Sequence, residues 1–80
     1  MREKIEGLTQ IIKQILEKSE AVLGLKEIYD NVENIVQLTP EQKEITYGRP
    51  NYQHSVRRIL TVLVERGEAI RVNRGKYRKA

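Results

Sequence analysis

His54, Arg57, Arg58 and Thr61 recur at three- and four-residue steps in "NYQHSVRRILTVLVERG", with Gln53 beside them and Tyr47, Arg49 and Asn51 just upstream. Residues so spaced share one face of a helix. Every one of these side chains can hydrogen-bond, and Arg57 and Arg58 carry planar cations. A guanidinium grips a phosphate, or the O6 and N7 of guanine, with two bonds at once. A second set crowds "AIRVNRGKYRK", where Arg71, Asn73, Arg74, Lys76 and Arg78 fall within a short segment. The chemistry on offer is recognition of an anion.

Catalysis finds less to work with. His54 is the sole histidine and there is no cysteine, so a disulfide framework or thiolate metal site is impossible. Asp30 and Glu33 stand three apart, a spacing able to hold a hard cation, although such acids more often form the wet side of an amphipathic helix. No acid pair followed by Glu-x-Lys falls on a predicted strand, and "GLKE" is no phosphate loop. The expectation is a chain that binds and does not catalyse, with neither cofactor nor metal.

The charge distribution points the same way. The net charge of +4 hides a division. Residues 1–48 hold six Lys/Arg against nine Asp/Glu, a balance of −3, and residues 49–80 hold nine against two, a balance of +7. So one-sided a field suits a polyanionic partner. Eighty residues, 39% hydrophobic and 32% charged, allow one small folded domain spanning 1–80. No apolar run approaches the roughly 20 residues that cross a bilayer, and "MREKIEGL" lacks a signal-type stretch. A cytoplasmic protein with no membrane partner is expected.

Helices and a hairpin must position these groups. Ile5, Leu8, Ile11, Ile12, Ile15 and Leu16 predict a first helix over 1–19, weakened only slightly by Gly7. "AVLG" suits a single strand rung. Leu25, Ile28, Tyr29, Val32, Ile35 and Val36 mark a second helix over 25–36. Thr39, Pro40 and Gln42 form a capping box for one or two further turns. "TYGRPN" reads as a loop, Asn51 as the cap of a third long helix over 51–66, and Gly67 as its stop. On that helix Tyr52, Val56, Ile59, Leu60 and Leu63 face the core, opposite His54, Arg57, Arg58 and Thr61, with Gln53 at the boundary. The end of the chain reads as a hairpin with Arg74 and Gly75 at its tip. Strict pairing from that tip sets Val72 opposite Tyr77 on one face and Arg71 opposite Arg78 on the other. Like charges directly across a sheet repel, so that basic face needs an external anion.

This order makes an α+β, mostly α, winged helix-turn-helix: three main helices, one short helix and a small antiparallel sheet ending in the wing. Double-stranded DNA is the expected partner, with the third helix (51–66) in the major groove and the wing (68–79) on the backbone or minor groove. An RNA duplex is disfavoured, because its major groove is too narrow for a helix to read. Tyr47, ahead of Gly48, is the aromatic best placed for an exposed contact.

"LKEIYDNVE", a loop leading into "GRPNYQHSVRRILTVLVERGEAI", and then "RGKYR" resemble the winged-helix domains attached to restriction endonucleases. The likeness is to the N-terminal domain of Mrr-type enzymes, with a related second helix in HNH-type nucleases, and it covers about residues 25–78. It implies a target-recognition module for DNA, with a separate nuclease domain doing the cutting. By position Gly48 and Arg49 match the loop, and Gln53, His54, Arg57 and Arg58 match the reading helix. Lys76 and Tyr77 depart from the apolar pair expected after the wing glycine. A small DNA-binding regulator is the companion reading. The alternative from a different class is a protein-interaction winged helix, with the broad stripe of the first helix serving as a homodimer seam or docking a neighbouring domain.

Overall fold

The computed structural model describes residues 7–19 and 21–80. Its elements in chain order are α1 (Leu8–Lys18), β1 (Leu23–Gly24), α2 (Leu25–Ile35), α3 (Pro40–Lys43), β2 (Ile45–Thr46), β3 (Arg49–Pro50), α4 (Asn51–Glu65), β4 (Ala69–Asn73) and β5 (Lys76–Lys79). The fold is α+β and mostly helical, with a three-stranded antiparallel sheet in the order β1-β5-β4 and a separate β2-β3 pair.

Amphipathic spacing builds the core. Leu8, Ile12, Ile15 and Leu16 of α1 meet Ile28 and Val32 of α2 and Tyr52, Val56, Leu60 and Leu63 of α4. Leu23, Ala69 and Tyr77 close the sheet side of the same cluster. The described part of the α1 stripe is thus used inside the chain's own core; Ile5 lies outside the described residues. Ile35, assigned to the α2 stripe, is instead exposed, and Ile59 is only half-buried.

Helix ends follow local chemistry. Thr39 accepts from Gln42 N while Gln42 Oε1 accepts from Thr39 N, so the expected capping box forms. Gly67 stops α4 in a left-handed conformation, φ 75°. There Gly67 N donates to Val64 O and Glu68 N to Leu63 O, the two bonds of a Schellman motif. At the other end of the chain α1 starts at Leu8, with Gly7 outside it as a left-handed N-cap, and residues 1–6 of the helix expected over 1–19 lie outside the described residues.

The segment read as the loop "TYGRPN" is a tight hairpin. Ile45 pairs with Pro50 and Thr46 with Arg49 around a two-residue turn, Tyr47-Gly48, in which both residues have positive φ. That is the mark of a type I′ turn. The C-terminal hairpin also differs from strict pairing. Asn73 pairs with Lys76 around the Arg74-Gly75 tip as expected, but a bulge at Val72 then sets Arg71 opposite Tyr77 and Ile70 opposite Arg78. Parity forces this. Tyr77 must face inward beside its partner Leu23 on β1, and Ala69 must face inward where the chain leaves α4. Uninterrupted pairing from a two-residue tip would turn Ala69 outward, so one extra residue is needed between the two anchors. Val72 is that residue, and it is 50% exposed.

Candidate nucleic-acid interface

The candidate site is the exposed face of α4, the β2-β3 hairpin at its start and the β4-β5 hairpin after its end. Arg57, Arg58 and Thr61 are exposed on α4, and Thr61 Oγ1 donates back to Arg57 O at 3.0 Å. Arg58 flanks a shallow cleft with Gly7, Leu8, Thr9 and Gln10, over the first turn of α1. Arg57 lies on the other flank of the face, a full turn beyond Gln53.

His54 does not stand free as expected. Its Nε2 meets the backbone oxygen of Thr46, and a carbonyl can only accept, so Nε2 carries the proton. The ring also stands edge-on to Tyr47, with centroids 6.4 Å apart and planes at 85°. His54 therefore ties the β2-β3 hairpin to α4. Tyr47 is presented at the tip of that hairpin, 87% exposed, with φ 53°. Arg49 is half-buried on β3.

Asn51 is neither helix cap nor surface contact. The N-cap of α4 is Pro50, and Asn51 is buried, at 7% exposure. Its backbone N donates to Glu44 O at 2.8 Å and its Nδ2 to Glu41 O at 2.9 Å. The carbonyls at a helix C-terminus lack full partners within the helix; Asn51 supplies one to Glu44 O and a second to Glu41 O, which also accepts from Glu44 N at 3.1 Å. A proline just before the helix favours this arrangement, because its fixed φ suits a cap position and leaves Asn51 inside the first turn.

The C-terminal hairpin divides its cations. Arg71 shares a sheet face with Tyr77, whereas Lys76 and Arg78 lie on the opposite face with Ile70. The expected basic face pairing Arg71 with Arg78 is not formed, because the bulge changes the side of every residue before it. The tip does not project. Leu25 N donates to Gly75 O at 3.0 Å, and β1 pairs with β5 directly behind the turn. Arg74 and Asn73 remain exposed at this docked tip, with Arg74 N donating to Asn73 Oδ1 at 2.9 Å. Lys76 reaches back over Gly24: its Nζ and Glu27 Oε1 lie 3.2 and 3.7 Å from the point where a Cβ on that glycine would stand.

Among the described residues the single ion pair joins Lys13 to Glu68 at 2.8 Å, linking α1 to the turn before β4. The Lys13 ammonium holds the Glu68 carboxyl below its usual range. No arginine or lysine of residues 49–80 takes part in an ion pair with a described acid. The field counted in the sequence is therefore not neutralised by those acids.

Two residues carry more of the site than their sequence suggests. The Tyr52 hydroxyl donates to Glu33 Oε1 on α2 and accepts from Gln53 Nε2 at 3.2 Å. Burial, and then the hydrogen bond and charge of Glu33 with the charge of Asp30, push the Tyr52 phenol up to about 12 against the opposing bond from Gln53. Glu33 and Tyr52 are 19 apart in sequence, so no local spacing announces this contact. The described residues contain no group of three or more His, Cys, Asp or Glu placed to hold a metal ion, and no helix among them is long and apolar enough to cross a membrane. No protein-family model, curated protein or solved structure matches the chain.

Proposed function

We propose that this chain is a winged-helix module that binds double-stranded DNA. In this reading α4 enters the major groove and the β4-β5 hairpin lies on the backbone or minor groove. The observation that carries it is the set of exposed cations on α4 and the C-terminal hairpin that pair with no described acid. Arginines left unpaired on a folded surface keep both electrostatic reach and hydrogen-bonding capacity for an external polyanion. The sheet order β1-β5-β4, with a helix on either side of β1 and the hairpin following α4, supports the winged-helix assignment.

The divided hairpin narrows the contact set. Arg57, Arg58, Thr61 and Gln53 on α4, with Tyr47 and Arg49 before it, make the principal surface. Arg71 and Arg74 extend it along the edge strand and tip, while Asn73, Lys76 and Arg78 lie on the face opposite Arg71 and serve only a duplex that reaches the outer sheet face. Asn51 and His54 act indirectly, by fixing the start of α4 and the hairpin beside it. The restriction-type target-recognition role belongs to the same proposal, with a nuclease domain as the associated partner.

A double substitution tests this directly. Arg57→Ala with Arg58→Ala should weaken duplex binding at least about ten-fold, as expected for the loss of two charge-assisted contacts. Unchanged binding by a folded double variant would remove α4 as the reading element. A second reading, docking of a protein, is favoured by Ile70 and Val72, which are exposed on the open edge strand β4. It predicts that duplex affinity is weak and that substitutions at these two residues abolish the interaction instead.

A further inference from the structure

Resting on the DNA-binding reading, we propose that Gln53 reads an adenine in the major groove through the outward edge of its amide, and that Glu33 and Tyr52 hold it in that orientation. Hydrogen-bond direction fixes the amide. The Glu33 carboxylate can only accept, so the Tyr52 hydroxyl must spend its proton there. The phenol oxygen is left as an acceptor, and Gln53 Nε2 stands 3.2 Å from it. The amide is thereby fixed with its nitrogen towards Tyr52 and its oxygen away. In the flipped orientation two oxygens would meet with no proton between them.

One hydrogen on Nε2 is used by Tyr52. The second hydrogen and Oε1 remain, a donor beside an acceptor. Adenine presents the matching acceptor and donor at N7 and N6 in the major groove, whereas guanine presents two acceptors there. Gln53 is the third residue of α4, in the part of a reading helix that reaches base edges, and Arg57 follows one turn later.

The support behind the amide is rigid. Tyr52 is buried, and its ring packs edge-on against Tyr29 with centroids 6.1 Å apart. The bonds from Gln53 to Tyr52 to Glu33 run in one direction, so each strengthens the next. A free glutamine would lose rotamer freedom on meeting a base, but this one has lost part of it on folding. Glu33 and Tyr52 are positioning residues, and Gln53 makes the contact.

Selection of bound duplexes from a random pool tests the proposal, using the full chain and its Gln53→Ala, Tyr52→Phe and Glu33→Ala variants, each checked for folding by circular dichroism. The parent should favour adenine at one position by on the order of ten-fold over other bases. Gln53→Ala should lose that preference. Tyr52→Phe and Glu33→Ala should relax it, because either change frees the amide to flip. A merely structural role for these two residues would not alter base identity at a single position. Gln53→Ala retaining every base preference of the parent, or weakening all duplexes alike, would overturn the inference and leave DNA binding standing. A preference for guanine that depends on Gln53 would also overturn it. A parent that retains no duplex would overturn the DNA-binding reading and this inference together.

Discussion

Tyr47 occupies a backbone region that asparagine or glycine enters with far less strain, at the first central position of a type I′ turn. Bulky residues held at positive φ cost on the order of 1 kcal/mol, and such strain clusters where a surface contacts a ligand. Tyr47→Asn should therefore raise stability by about 0.5–1 kcal/mol, read as a higher melting temperature, while lowering duplex affinity. A variant that gained stability and bound duplex as well as the parent would leave Tyr47 without a role in binding. Tyr52 supplies a second prediction at this scale. Its folded pKa, about 12, lies above the value of about 10 expected of an unfolded tyrosine. The contribution of the neutral phenol is complete below pH ~10 and is lost as pH rises from there towards ~12. Urea unfolding at pH ~9 and ~11 should show a larger loss for the parent than for Tyr52→Phe. Equal losses would mean that the phenol does not titrate with unfolding.

At the scale of elements, what is legible in the sequence is what is locally determined. The capping box at Thr39 and Gln42, the glycine stop at Gly67 and the buried face of α4 all depend on residues within one or two turns. The β2-β3 hairpin escapes such a reading, because its turn uses a tyrosine where the usual signal is Asn-Gly or Asp-Gly. The bulge at Val72 escapes it for a different reason. Register there is settled by two anchors, Ala69 after α4 and Tyr77 beside β1, and no local pattern records that their parities conflict. His54 and Asn51 look like surface groups on a helical wheel, yet each is taken up by a backbone carbonyl of a neighbouring element. Asn51 makes the consequence measurable. Asn51→Ala should destabilise the fold by about 1 kcal/mol, since it removes the side-chain bond from α4 to Glu41 O, which is left with the bond from Glu44 N alone, and loosens α3 from α4. For a domain of this size that corresponds to a fall in melting temperature of roughly 4–8 °C per kcal/mol. An unchanged melting curve would show that the side-chain bond to Glu41 adds nothing.

For the molecule as a whole, the sequence separates an acidic first part from a basic last part, and the fold leaves that separation without internal ion pairs among the described residues beyond Lys13–Glu68. The cations are nevertheless more scattered than a helical wheel and a flat hairpin imply. Those of α4 share an exposed face, while those of the C-terminal hairpin are split by the bulge. The proposed interface therefore lies chiefly on α4 and its flanking hairpin, and in the DNA-binding proposal electrostatics supplies most of the affinity. Titration of duplex binding with salt tests that claim most directly. If about five phosphates are neutralised, log affinity should fall against log salt with a slope of roughly −4 to −5, a loss of some hundreds-fold between about 50 and 200 mM. A flat response over that range would contradict the account.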